Sequence, residues 1–215
     1  MKLPDPPLLL ITDRHQAVRS LPEILEAAFA AGCRWASLRE KDLPAAEQIA
    51  MAQDLLPLAR RYNARLSLHG KADTAKVAGT DGVHLAAGDD AAAARSFLGQ
   101  HALIGISIHT LQEAGKLDPN ILDYAIAGPV FPTASKPGFG PILREDGLAA
   151  IINIAPIPIL AIGGINATAV ARMRTIGAGG VAVMGAIMRA IDPAKEVRGL
   201  LECLGSTNSA TRVSA

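Results

Sequence analysis

Short apolar runs alternate along the chain with longer amphipathic stretches. The runs are residues 8–12, 34–39, 65–69, 82–85, 103–107, 124–128, 159–162 and 180–184. Most are continuously apolar rather than alternating, which is the pattern of parallel strands covered on both faces. Helical patterns fill the intervals. Residues 21–31 stop at Gly32, 72–78 at Gly79 and 91–98 at Gly99, and glycine readily takes the left-handed conformation that ends a helix. Pro44 opens a long stretch to Tyr62 as its first helical residue. Segments 111–116, 145–153, 167–176 and 193–204 complete the set, with Asn166 and Asp192 placed to cap the last two.

Eight strand–helix units predict a single (β/α)8 TIM barrel over residues 8–205. Residues 1–7 form an N-terminal extension, and the small polar tail 206–215 is expected to be disordered. The chain has 215 residues, where a barrel typically needs about 250 and about 200 is near the minimum. A doubly wound open sheet is the competing architecture. It usually carries a glycine-rich turn after the first strand, whereas here that run ends Ile11-Thr12-Asp13-Arg14. In a barrel, function sits where strands end and helices begin, so the residues just past each run are the ones to read.

Composition limits the chemistry. Lys+Arg number 21 against Asp+Glu 20, a net charge of +1. That balance gives no general attraction to nucleic acid or an anionic membrane, so any basic site is local. Aromatic residues at 3% argue against base-stacking platforms. Cys33 and Cys203 have no metal-like spacing and fit a reduced compartment. The first residues lack a basic region followed by an apolar run, and the longest apolar run, 151–162, is broken by Asn153, Pro156 and Pro158. Neither a signal peptide nor a membrane span is expected, and the protein reads as soluble and cytoplasmic.

Gly163 and Gly164 follow the seventh run and Gly185 the eighth. Barrels often bind phosphate there, because glycine lets backbone N–H groups approach an anion. Arg39 and Lys41 follow the second run and, two apart, point the same way, as suits an anion. Thr133, Ser135 and Lys136 lie in a long Gly/Pro loop after the sixth run, a candidate lid. His109, just past Ser107 and the fifth run, is placed for proton transfer; His69 ends the third run, and His84 inside the fourth reads as core or barrel lining. Asp89 after the fourth run suits a Mg²⁺ ion held largely by substrate phosphates, while Asp90 caps the following helix. Each feature also has a plainer reading: tight turns, a solvated charge cluster, a loop without ligand, packing histidines.

Taken in order, Ser37-Leu-Arg-Glu-Lys41, Asp81-Gly-Val-His-Leu85, Gly105-Ile-Ser-Ile-His109, Gly128-Pro-Val-Phe-Pro-Thr-Ala-Ser-Lys136, Ala161-Ile-Gly-Gly-Ile165 and Gly180-Val-Ala-Val-Met184 resemble the thiamine phosphate synthase/TenI family of barrels. The resemblance implies a homodimer and one of two activities. A synthase joins hydroxymethylpyrimidine diphosphate to thiazole phosphate with Mg²⁺ and releases pyrophosphate. For it, the resemblance assigns Arg39, Lys41, Ser107 and Lys136 to the diphosphate and Asp89 to Mg²⁺. It assigns Thr133, Ser135, Gly164, Met184 and Gly185 to the thiazole phosphate. A TenI-like tautomerase shifts a double bond in a thiazole carboxylate phosphate without metal, with His109 as proton shuttle.

The family's synthases carry Asn-Asp-Arg after the third run, where this chain has His69-Gly70-Lys71. The resemblance therefore implies a lost Mg²⁺ carboxylate at Gly70, a replaced pyrimidine contact at His69, and basic character kept at Lys71. The serine expected after the eighth run is Gly185. These departures favour the tautomerase, with the synthase as the alternative. A non-catalytic binder of thiazole or thiamine phosphates, without a working His109, is the reading from another class.

Overall fold

In the computed structural model, which describes residues 3–135, 138 and 140–205, eight parallel strands close into a barrel in sequence order. They are β1 (Leu8–Ile11), β2 (Trp35–Leu38), β3 (Arg65–His69), β4 (Gly82–Leu85), β5 (Leu103–Ile108), β6 (Tyr124–Ala127), β7 (Ile159–Ile162) and β8 (Gly180–Val183). Around them run α1 (Leu21–Ala30), α2 (Ala45–Arg61), α3 (Ala72–Ala78), α4 (Ala91–Leu98), α5 (Leu111–Ala114), α6 (Arg144–Ile154), α7 (Ala167–Thr175), α8 (Gly185–Met188) and α9 (Pro193–Gly205). The expected tail at 206–215 and Lys136 lie outside the described residues.

The apolar runs are continuous because both faces of each strand are buried. Leu8, Leu10, Ala36, Leu38, Leu66 and Leu68 face the helices. The alternate positions Leu9, Ile11, Trp35, Leu103, Tyr124, Ile126, Leu160 and Ala182 form a second cluster inside the barrel. This two-sided burial is the packing a parallel barrel imposes.

Capping fixes where helices begin. Asn166 Oδ1 accepts from the Ala169 N–H at 2.9 Å, Asp90 Oδ1 from Ala93 at 2.8 Å and Asp192 Oδ1 from Lys195 at 3.0 Å. Pro44 stands one place earlier than expected: its ψ of 153° is extended, so it caps α2 rather than beginning it. The turn α8 is an element that the hydrophobic pattern does not announce, since four residues show no period. Below the barrel, Arg95 bonds Asp123 at 2.7 Å in a buried pair. Arg95 also donates to the carbonyls of Ile121, Gly99 and Ala102, and Asp123 accepts the Ile104 N–H. Such satisfaction is what makes a buried ion pair tolerable. Among the described residues, no helix is long and apolar enough to cross a membrane, and both cysteines are free thiols.

One row of inward positions ties the core to the mouth. His69 on β3 pairs with His84 on β4, His84 with Gly105 on β5, and Gly105 with Tyr124 on β6. The rings of His69 and His84 lie 4.5 Å apart. His84 and Tyr124 stack at 5.5 Å across Gly105, and Trp35 meets Tyr124 edge-on at 4.7 Å. A Cβ on Gly105 would fall inside the Tyr124 ring's contact radius, closer than 3.0 Å. Gly105→Ala is therefore expected to cost about 3 kcal/mol through overpacking. In denaturant unfolding, Gly105→Ala combined with Tyr124→Leu should cost clearly less than the sum of the single changes. Simple additivity would show that the glycine is not there for the ring.

Candidate active site at the barrel mouth

A cavity of about 540 Å³ opens at the C-terminal ends of the strands. Its lining includes Arg39, Lys41, His69, Ser107, His109, Thr133, Ser135, Gly163, Gly164, Met184 and Gly185, so most of the residues picked from the sequence meet in one place. Lys71 and Asp89 do not line it. Lys71 is exposed at the N-cap of α3. Asp89 is exposed and accepts the Ala86 N–H at 2.8 Å, closing its own turn.

Charge is sorted by alternation after β2. Glu40 is buried and accepts from the Thr12 hydroxyl at 2.7 Å and from Arg14 Nη1 at 3.0 Å. Asp42 also pairs with Arg14. Both acids are thus committed to Arg14, while Arg39 and Lys41, on the other parity, reach the cavity. Desolvation and the nearby Arg39 charge hold the Lys41 ammonium below the ordinary lysine range, against the pull of Asp89. An anion bound here would favour the charged form and offset the repulsion from Arg39.

The histidines have distinct jobs. The His109 Nδ1–H donates to the Gly128 carbonyl at 2.9 Å, which makes Nε2 the acceptor nitrogen of the neutral ring. The His109 backbone N–H donates to Glu113 at 2.6 Å, fixing the residue at the start of α5. His84 is fully buried between Tyr124 Oη, 3.2 Å from Nδ1, and Ser107 Oγ, 2.9 Å from Nε2. With the phenol donating to Nδ1, the Nε2–H donates to Ser107, whose own O–H is then left to donate into the cavity. Burial, with a smaller push from the Lys41 charge, lowers the His84 pKa to about 3, so the ring is neutral.

The loop after β6 lies directly on the glycines after β7. The Val130 N–H donates to Ile162 O at 2.8 Å and the Phe131 N–H to Gly163 O at 3.1 Å. Gly163 (φ 99°) and Gly164 (φ 66°) are left-handed, and a Cβ on either would lie 2.7 Å from Pro129 or Phe131. Glycine is required there by backbone conformation and by the loop, whatever the cavity binds. Sequence reading missed two lining or supporting residues, Gln16 and Arg189. Ser135 Oγ donates to Gln16 Oε1 at 2.8 Å, and Arg189 Nη1 donates to the same oxygen. Nothing local marks either residue, because the contact joins positions 16, 135 and 189.

The residues present do not make a resident metal site. Asp89 closes its own turn, Gly70 offers no donor, and no group of three or more His, Cys, Asp or Glu side chains gathers to hold an ion among the described residues. A divalent ion would have to be held mainly by substrate oxygens.

A family model described as thiamine monophosphate synthase matches residues 8–187. The chain belongs to the thiamine phosphate synthase/TenI family. A Geobacter sulfurreducens protein, provisionally named a thiamine-phosphate synthase, is 42% identical over 199 residues, covering 92% of this chain and 93% of the relative. A Roseiflexus thiamine-phosphate synthase is 36% identical over 199 residues, covering 92% and 84%. The solved thiamine phosphate pyrophosphorylase from Pyrococcus furiosus superposes with a TM-score of 0.80 at 30% identity, covering 92% of this chain and 94% of that one. The chain is accordingly an enzyme of the thiamine-biosynthesis family. These names back the synthase, the alternative of the sequence reading, better than the tautomerase that the departures at Gly70 and Gly185 favour.

Because His84 titrates near pH 3 in the fold and near 6.5 in an open chain, the unfolded state takes up this proton first on acidification. Stability is therefore expected to fall as the pH drops below about 6.5, towards 3. The slope of unfolding free energy between pH 6 and 4 should flatten by up to one proton in His84→Gln. Equal slopes in the two proteins would contradict a buried neutral ring.

Proposed function

We propose that the chain is a cytoplasmic thiamine-phosphate synthase that joins a pyrimidine methyl diphosphate to a thiazole phosphate. The observation that carries this reading is the division of donors around the mouth. Arg39 and Lys41 follow β2, which stands opposite β6 in the ring of eight strands. Thr133, Ser135, Gly163 and Gly164 lie in the loops after β6 and β7. One cavity thus has a paired-cation side suited to a diphosphate and a hydroxyl-and-glycine side suited to a single phosphate. The relatives' names support the same reading. The homodimer implied by the family resemblance belongs to this proposal.

In the reaction, the C–O bond between the pyrimidine methylene and the diphosphate breaks, and the oxygen keeps the electron pair. The thiazole nitrogen supplies the pair for the new C–N bond. Arg39 and Lys41 stabilise the charge growing on the departing diphosphate, where preorganised cations are most effective. The Ser107 hydroxyl, held by His84, donates to the anion or to the pyrimidine. His109 and the glycine turns orient the thiazole. Mg²⁺ would supply further charge neutralisation to the diphosphate, held mainly by the diphosphate's own oxygens, and no step here depends on it.

A tautomerase reading is favoured by one specific observation: Gly70 puts no carboxylate at the mouth. Incubation with pyrimidine diphosphate plus thiazole phosphate, and separately with the non-aromatic thiazole carboxylate phosphate, discriminates the two. Thiamine phosphate should form, with and without added Mg²⁺ being compared. Absence of that product at high enzyme concentration, with isomerisation of the second substrate, would replace the synthase by the tautomerase. At Gly70 a Cβ meets nothing closer than 3.7 Å, so aspartate fits. Gly70→Asp is expected to raise the Mg²⁺-dependent rate about tenfold or more, as a direct metal ligand is worth several kcal/mol.

The Lys41 environment adds a pH test. A lysine held below its ordinary range loses its proton early on the alkaline side. Pyrophosphate affinity should then decline at a pH lower than an ordinary lysine would give, and Lys41→Arg should move the decline to higher pH. Titration calorimetry between pH 7 and 10 reads this, and coincident profiles would remove Lys41 from the diphosphate site.

A further inference from the structure

Arg189 follows the turn α8 and lines the cavity on the single-phosphate side. A Cβ on Gly185 would lie closer than 3.0 Å to both terminal nitrogens of the Arg189 guanidinium and to Ser135 Oγ. The guanidinium therefore stands in the space that a side chain at 185 would take. Among the described residues it meets only neutral oxygens: Nη1 donates to Gln16 Oε1 and, at 3.2 Å, to Ser135 Oγ. Gln16 is itself held, since its Nε2 donates to Asp13 Oδ2 at 2.6 Å. This cation, held by an amide oxygen and a hydroxyl in a cavity also lined by the left-handed Gly163 and Gly164, has no carboxylate partner among the described residues.

We propose that Arg189 is the specificity-determining residue for the substrate's phosphate. Its guanidinium exchanges the Gln16 oxygen for phosphate oxygens and grips them in a fork, with the Ser135 hydroxyl and the backbone at Gly163 and Gly164 completing the shell. Charge-assisted bonds to phosphate are about twice as strong as the neutral bonds they replace. The planar fork matches two oxygens of one phosphate, as lysine does not. Ser135 belongs to the loop after β6 and Arg189 to the segment after β8, so the phosphate also ties that loop to the segment two strands further round the ring. The proposal rests on the synthase reading for the identity of the phosphorylated thiazole, although inorganic phosphate tests it alone.

The experiment compares wild type, Arg189→Met and Arg189→Lys as full-length chains. Calorimetry measures binding of inorganic phosphate, of the phosphorylated thiazole alcohol, and of the same alcohol without its phosphate. Thermal unfolding confirms that each variant folds. Arg189→Met should weaken both phosphate-bearing ligands by about 10- to 100-fold. It should leave the unphosphorylated alcohol unchanged, and Arg189→Lys should retain part of the affinity. In turnover, KM for the thiazole phosphate should rise while KM for the pyrimidine diphosphate holds. Equal phosphate affinity in wild type and Arg189→Met would overturn the proposal, as would equal loss for the unphosphorylated alcohol or no phosphate binding by the wild type. Failure of the synthase reading would look different: no thiamine phosphate forms, yet phosphate binding still separates the variants.

Discussion

The ring of Tyr124 fits inside the barrel because Gly105 gives up its side chain. A closed barrel of eight short strands has an interior of nearly fixed width, and its inward positions must fill that space without collision. Trp35 and Tyr124 supply bulk, and Gly105 supplies the gap across which Tyr124 stacks on His84. The same stack delivers a phenol to one nitrogen of His84 and Ser107 to the other. Core packing and the polarity of a site hydroxyl are thus one construction. A neutral, fully buried imidazole is the price of that arrangement, and its hydrogen bonds on both sides keep the cost tolerable.

The two-faced burial of the strands explains why the fold was so legible. Continuous apolar runs bounded by glycine or a polar cap mark parallel strands and their neighbouring helices directly. Parity carried equal information at the mouth: Arg39 and Lys41 share a side, and the structure sends Glu40 and Asp42 the other way, to Arg14. What the sequence hid is contact between distant positions. Gln16, Ser135 and Arg189 are linked only after the chain has closed the ring from β8 back to β1. Likewise the pattern around Gly105 marks a strand, but not the ring at Tyr124 that the glycine accommodates.

Some residues proved to have two reasons for being what they are. Gly163 and Gly164 invite a phosphate reading from their place after β7 alone. In the fold they are also forced by left-handed backbone and by the loop 129–132 lying on them. Their presence is accounted for by the seat they provide for that loop. Lys71 and Asp89 show the converse. Both follow strands in the expected place, yet one points outward at a helix cap and the other closes its own turn. A strand-end position brings a residue to the mouth's rim, and at Asp89 a local hydrogen bond to the Ala86 N–H turns the carboxylate to its own loop.

The near-zero net charge acquires its meaning at this rim. Acids close to the mouth are spent on internal partners: Glu40 and Asp42 on Arg14, Asp13 on Gln16, Asp89 on its own backbone. The cations that line the cavity are left facing it, with Lys41 destabilised by its setting and Arg189 resting on neutral oxygens. The chain thereby concentrates positive potential in one concave, partly desolvated place without becoming a basic protein. Such a site discriminates by how many anionic oxygens a ligand presents and at what spacing, since each cation gains most from an oxygen it meets directly. On the synthase reading, a phosphate at one side and a diphosphate at the other would satisfy both groups of donors, whereas a single anion would leave one group exposed. On the synthase reading, with the nearby acids committed elsewhere and no side chain at Gly70, Arg39 and Lys41 would do most of the holding of the diphosphate. Among the described residues, the fixed cations that face this mouth are Arg39, Lys41 and Arg189.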